Sequence, residues 1–119
     1  MTMQSNSRHL ISGGLSGGFN GLLLTHNKQV SFNPLVAASP TAVWDMGDGS
    51  SQTTNALNYT YAAPGTYTVK YLGAPTALTY LVCYSNQIAV LDVSALTALT
   101  VLVCYSNQIA VLDVSALTA

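Results

Sequence analysis

Leu78 to Ala98 reads LTYLVCYSNQIAVLDVSALTA, and Leu99 to Ala119 reads LTVLVCYSNQIAVLDVSALTA. These two 21-residue copies differ at one position, Tyr80 against Val101. A constant period of this size marks a repeat architecture, in which each unit buries its apolar side by stacking on the next. Each copy follows L-x-x-L-x-C-x-x-N-x-I-x-x-L-D-V-S-x-L, carried first by Leu78, Leu81, Cys83, Asn86, Ile88, Leu91, Val93 and Leu96. Alternation in Leu81-Val82-Cys83-Tyr84 predicts a short strand with Leu81 and Cys83 facing in and Val82 and Tyr84 facing out.

Stacking in register predicts where the remaining residues go. Neighbouring coils pair as parallel strands about 4.8 Å apart, so each buried residue rests on its own copy. Asn86 and Asn107 fall where the chain leaves the strand, and a buried amide there satisfies the backbone of adjacent coils. Parallel Cβ vectors hold Cys83 and Cys104 at the coil spacing, longer than a disulfide spans, so a reduced, packed pair is expected. Asp92 and Asp113 are expected to face solvent or to cap the convex turn. The outward, concave face carries Tyr80, Val82 and Tyr84 over Val101, Val103 and Tyr105. It reads as a binding platform, or as β-forming residues on a half-exposed sheet.

The landmark spacing resembles the leucine-rich repeat, in the short cysteine-bearing form of bacterial surface proteins. That resemblance implies a short solenoid over residues 74–119, with coils at 78–98 and 99–119. Two coils fall short of the roughly three a solenoid needs. Val69 to Ala77 aligns loosely with Val90 to Ala98, so a half-coil is expected to grow out of the preceding strand. The boundary at Ala119 leaves an open apolar edge, expected to be covered by further copies or by another subunit.

Residues 22–73 read as all-β. Short β-prone runs (Gly21 to Asn27, Lys28 to Phe32, Ala42 to Trp44, Tyr59 to Tyr61, Thr66 to Tyr71) are separated by Asn-Pro, Ser-Pro, Gly-Asp-Gly and Pro-Gly punctuation. In the last run Tyr67, Val69 and Tyr71 share one face. Trp44 is the candidate core anchor, and Asp45 and Asp48 are placed to bond the amides of a glycine turn. Val43-Trp44-Asp45-Met46-Gly47-Asp48-Gly49-Ser50, then Tyr59-Thr60-Tyr61 and Pro64-Gly65-Thr66-Tyr67-Thr68-Val69, is similar to the PKD domain, an immunoglobulin-like sandwich. The resemblance implies a first strand that these residues lack, expected from the preceding arm or a neighbouring subunit. Asp45 and Asp48 have no third acid nearby, so the turn reads as hydrogen-bonded, not as a calcium site.

Residues 1–21 are rich in Ser, Gly and Asn and read as a flexible arm. Gly14-Leu15-Ser16-Gly17-Gly18 matches G-x-S-x-G, but His26 precedes every aspartate, so the order a nucleophile elbow needs is missing. The fold expected for the whole chain is mainly β: a small PKD/immunoglobulin-like sandwich followed by a short leucine-rich-repeat solenoid.

Composition bounds the function. Half the residues are hydrophobic and 6% are charged, against roughly a quarter in ordinary domains. Three basic residues cannot neutralise a run of phosphates, which argues against nucleic acid. No apolar segment approaches the ~18 residues of a helical span, and the N-terminus makes a poor secretory signal. Zinc ligands in close pairs are missing, so no metal or cofactor is expected. No catalytic constellation is present either. The expectation is a non-enzymatic structural or adhesion protein displayed outside, first of all a bacteriophage virion component (decoration, fibre or tail-associated). Its partners would be its own or other structural subunits, or a surface glycan or protein receptor. The alternatives are a bacterial cell-surface or secreted adhesin, and an accessory module of a polysaccharide-degrading enzyme.

Overall fold

The computed structural model describes residues 2–4, 10–11 and 21–113. Its strands are β1 (Thr2–Gln4), β2 (Leu10–Ile11), β3 (Leu23–His26), β4 (Leu35–Ala37), β5 (Val43–Asp45), β6 (Ser51–Thr53), β7 (Tyr67–Tyr71), β8 (Tyr80–Val82), β9 (Ile88–Asp92), β10 (Val101–Val103) and β11 (Val111–Asp113). The one helical piece among the described residues is a 3-10 turn, Pro75–Ala77. A four-stranded sheet has the order β1-β10-β8-β4, and a seven-stranded sheet the order β2-β11-β9-β3-β7-β5-β6. The chain is mainly β, as its short punctuated runs imply.

Each 21-residue copy gives one strand to each sheet, and the copies pair in parallel with an offset of one period: Val101 on Tyr80, Leu102 on Leu81, Leu112 on Leu91. Backbone bonds tie the segments between strands as well, with Cys83 N–H donating to Val103 O at 2.8 Å and Ala110 N–H to Ala89 O at 3.0 Å. Buried residues therefore lie in rows. Val36, Leu81 and Leu102 line the inner face of the smaller sheet, and Val69, Leu24, Leu91 and Leu112 that of the larger. These rows form one apolar cluster with Trp44, Phe32 and Tyr61. Truncating one of these leucines to alanine costs on the order of 2–5 kcal/mol by analogy with other well-packed cores.

The join between the two parts is made by β3 and β4. Strand β3 lies antiparallel between β7 and β9, and β4 lies antiparallel beside β8. The first strand expected from the arm or a neighbouring subunit is β3 itself, within residues 22–73, and its second neighbour is the first copy. The half-coil expected from Val69 to Ala77 does not stack on β9, because β3 stands between β7 and β9. One strand in each sheet makes the β3–β4 pair the cover of the first copy. On the far side, β1 pairs in parallel with β10 and β2 with β11.

Two further departures have local causes. Lys28 to Phe32 forms no strand, since Ser31 sits at φ 55° and breaks the extended backbone, leaving a single bridge from Phe32 to Tyr59. Leu35–Ala37 escapes sequence reading because it is three residues long and pairs with residues far along the chain.

Candidate functional site

The outward side of the four-stranded sheet carries two apolar rows. Strand register puts Ala37, Tyr80 and Val101 in one row, and Leu35, Val82 and Val103 in the other. Tyr80, Val82, Val101 and Val103 are half-buried, while Leu35 is 41% exposed. Beyond the strand ends, Tyr84 and Tyr105 stack with ring centroids 4.9 Å apart and planes 9° from parallel. This separation is the strand spacing, so the rings stack because the two copies pair in register. The six outward residues of the repeat accordingly share one surface, and Leu35 and Ala37 extend it.

A groove of about 240 Å³ opens at one end of this surface, lined by Lys28, Asn33, Leu35, Val82, Tyr84 and Ser85. Lys28 Nζ donates to Ser85 O at 3.0 Å, which holds the ammonium over the groove. Sequence reasoning missed Lys28, Asn33 and Leu35. The pairing of β3 with β9 and of β4 with β8 brings them to Tyr84, and no local pattern announces a contact between such distant residues. A second hollow of about 350 Å³, lined by Ala37, Ala38, Ser39, Ala77 and Thr79, has neither ring nor charge.

Beneath the surface the asparagines form a ladder. Asn107 Oδ1 accepts the backbone N–H groups of Asn86 (2.8 Å) and Ile88 (3.0 Å). Its Nδ2 donates to Cys83 O at 2.9 Å and Cys104 O at 3.0 Å. One rung up, Asn86 Oδ1 accepts Asn33 N–H at 2.9 Å and Nδ2 donates to Tyr84 O at 3.0 Å. The ladder thus fixes both the carbonyl side of Tyr84 and the backbone of Asn33 in the groove. Ser85 and Ser106 occupy the same step in the two copies, each at φ 55°. Cys83 and Cys104 are free thiols and fully buried; burial, and then the neighbouring Cys104, push the Cys83 thiol well above its ordinary range. Asp92 is buried and caps the turn after β9, accepting Ser94 N–H at 2.9 Å and Ser94 Oγ–H at 2.6 Å. The side chain of Asp113 and the Gly14 to Gly18 motif lie outside the described residues.

The glycine turn stands apart from the groove's lining. Trp44 is fully buried, its Nε1–H donating to Thr54 O at 2.8 Å. Asp45 Oδ1 accepts Gly47 N–H at 3.0 Å, and Asp48 Oδ1 accepts Ser50 N–H at 3.0 Å. Asp48 Oδ2 accepts Tyr59 O–H at 2.6 Å. Hydrogen bonds from the Ser50 and Tyr59 side chains hold the Asp48 carboxyl below its usual range. These carboxylates are used by their own loop.

One buried titratable group was not foreseen. His26 stacks on Phe32 with centroids 3.6 Å apart, and its Nδ1 accepts Lys28 N–H at 3.0 Å. Tyr61 gives its single proton to Met46 O at 2.8 Å. His26 Nε2, 3.0 Å from the Tyr61 oxygen, must therefore be the donor there. The ring is neutral with its proton on Nε2; burial first, and the Lys28 charge second, lower its pKa to about 4.

Residues 24–72, under half of the chain, match the PKD domain family. PKD domains are common as binding and adhesion modules of extracellular proteins and are typically non-catalytic. No curated protein and no solved structure matches the chain.

Proposed function

We propose that this chain is a non-enzymatic binding module displayed outside the cell. In this reading a PKD-like sandwich carries residues 78–119 as two coils of a leucine-rich-repeat solenoid, and the outward face of the four-stranded sheet is the contact surface. A single observation carries it. Two apolar rows, half-buried at Tyr80, Val82, Val101 and Val103, and an exposed tyrosine pair share one outward face on a chain with 6% charged residues. Apolar faces of this kind usually mark interaction sites. The face also arises from the repeat itself, since each copy contributes one strand and one ring to it.

The setting we propose is a bacteriophage virion, as a decoration, fibre or tail-associated subunit. A sparsely charged surface suits a subunit whose faces are covered by neighbours. Val103→Asp is the test of the face: it plants a charge among the outward rows without touching the inner one. Attachment of the purified chain to cells or particles should fall while the melting temperature holds; unchanged attachment would sink the reading. Mass spectrometry of purified particles tests the setting. Recovery of the chain in a bacterial surface fraction and not in particles would favour the adhesin instead.

A further inference from the structure

We infer that the groove beside Tyr84 holds one acidic pyranose unit, a hexuronate, of a surface polysaccharide; this rests on the binding-face reading above. Tyr105 covers one face of the Tyr84 ring, being stacked on it at 4.9 Å with planes 9° from parallel. The other groove residues, Lys28, Asn33 and Leu35, come from the β3–β4 side, because β8 lies between β10 and β4. The ring face turned away from Tyr105 is therefore a groove wall.

The lining is amphipathic in a specific way. Tyr84, Val82 and Leu35 make an apolar wall and floor, and Lys28, Asn33 and Ser85 make a polar rim. An apolar side chain from a protein would offer nothing to the remaining Lys28 donors or to the Asn33 and Ser85 side chains, which is costly once water is excluded. A pyranose ring has one C–H face that stacks on an aromatic ring and a perimeter of hydroxyls that the rim can bond. Size agrees: about 240 Å³ lies below the 300–1,000 Å³ typical of sites for drug-sized ligands, and suits a single ring.

Charge selects the acid. Among the described residues, Lys28 is the sole charged side chain lining the groove. One of its three ammonium protons is spent on Ser85 O, which leaves two donors for a carboxylate. Bonds of that charge-assisted kind are roughly twice as strong as neutral ones. A hexuronate places a carboxylate on the ring's edge while its C–H face stays on Tyr84.

Isothermal titration of the whole chain at low salt with a tetragalacturonate, and with cellotetraose as the neutral counterpart, tests this. The acidic tetramer should bind at least about tenfold more tightly, given the strength of charge-assisted bonds. Lys28→Gln should reduce the acidic tetramer to the level of the neutral one, Lys28→Arg should keep the preference, and Tyr84→Ala should abolish both. Should Tyr84→Ala fail to fold, Tyr84→Leu keeps the apolar volume and removes the ring. Equal affinities unaffected by Lys28→Gln, or no binding of either tetramer, would overturn the inference. Val103→Asp, outside the groove, separates the two readings. If it abolishes attachment while neither tetramer binds, the hexuronate alone is lost; if attachment is unchanged, the face is lost as well.

Discussion

Asn107 Oδ1 accepts the backbone N–H of Asn86 at 2.8 Å, so the side chain of one copy completes the main chain of the other at the equivalent asparagine. With the bonds to Ile88 N–H, Cys83 O, Cys104 O and Tyr105 O, one amide serves five backbone groups of the two copies. Asn86 repeats the device toward Asn33.

Asn107→Ala should therefore be among the most damaging polar substitutions. It orphans buried groups on both coils, at roughly 1–3 kcal/mol for each group left unsatisfied. Asn107→Asp keeps the acceptor but loses the donor, and should fall between. Urea unfolding midpoints check the order; an Asn107→Ala variant as stable as the parent would show that the amide is not the tie between coils.

Stability should depend on pH through His26. Its pKa is about 4 in the folded chain and 6.5 in its ordinary state, so between those values the unfolded chain binds a proton that the folded one refuses. This contribution is complete above pH about 6.5 and is lost as pH falls toward about 4. At 1.36 kcal/mol per unit the loss approaches about 3 kcal/mol. Denaturation at a series of pH values measures it, with His9→Gln as the control for the other histidine. A flat profile over that range would contradict the neutral, buried assignment.

The two turn glycines should differ in their tolerance of alanine. Both have positive φ, 82° at Gly47 and 90° at Gly49. A Cβ at Gly47 would run into the backbone of Thr68, whereas one at Gly49 meets open space. Gly49→Ala should cost about 1–2 kcal/mol of backbone strain, and Gly47→Ala clearly more. Thermal melts of the pair decide it, and equal losses would show that strain alone sets the effect.

The cysteines should be inert in the folded chain. A water-soluble thiol reagent at pH 8 should modify Cys83 and Cys104 only after unfolding, because both side chains are buried out of its reach and burial disfavours the Cys83 thiolate. Labelling at the rate of a free thiol under native conditions would mean that the coils open readily.

Much of the second half was legible because a repeat states its own tertiary neighbours. Leu81 stacks on Leu102, Tyr84 on Tyr105, and Asn107 bonds the turn at Asn86, all one period apart. Identical units in parallel register put like on like, so spacing along the chain translates directly into contact. Glycine and aspartate chemistry was equally local: Asp45 and Asp48 bond amides two residues on.

What no local pattern could supply was set by pairing at long range. Strands β3 and β4 are ordinary short apolar runs, and nothing in them says that they pair with the first copy and not only within the sandwich. That choice rests on edges: a coil's strands leave backbone groups unpaired on both sheets, and β3 and β4 satisfy them together. It brings Lys28 and Asn33 to Tyr84 and buries His26 against Phe32 and Tyr61. The outward tyrosines were thus written in the 21-residue period, whereas the charged, one-sided groove beside them exists only because two sheets close across the join.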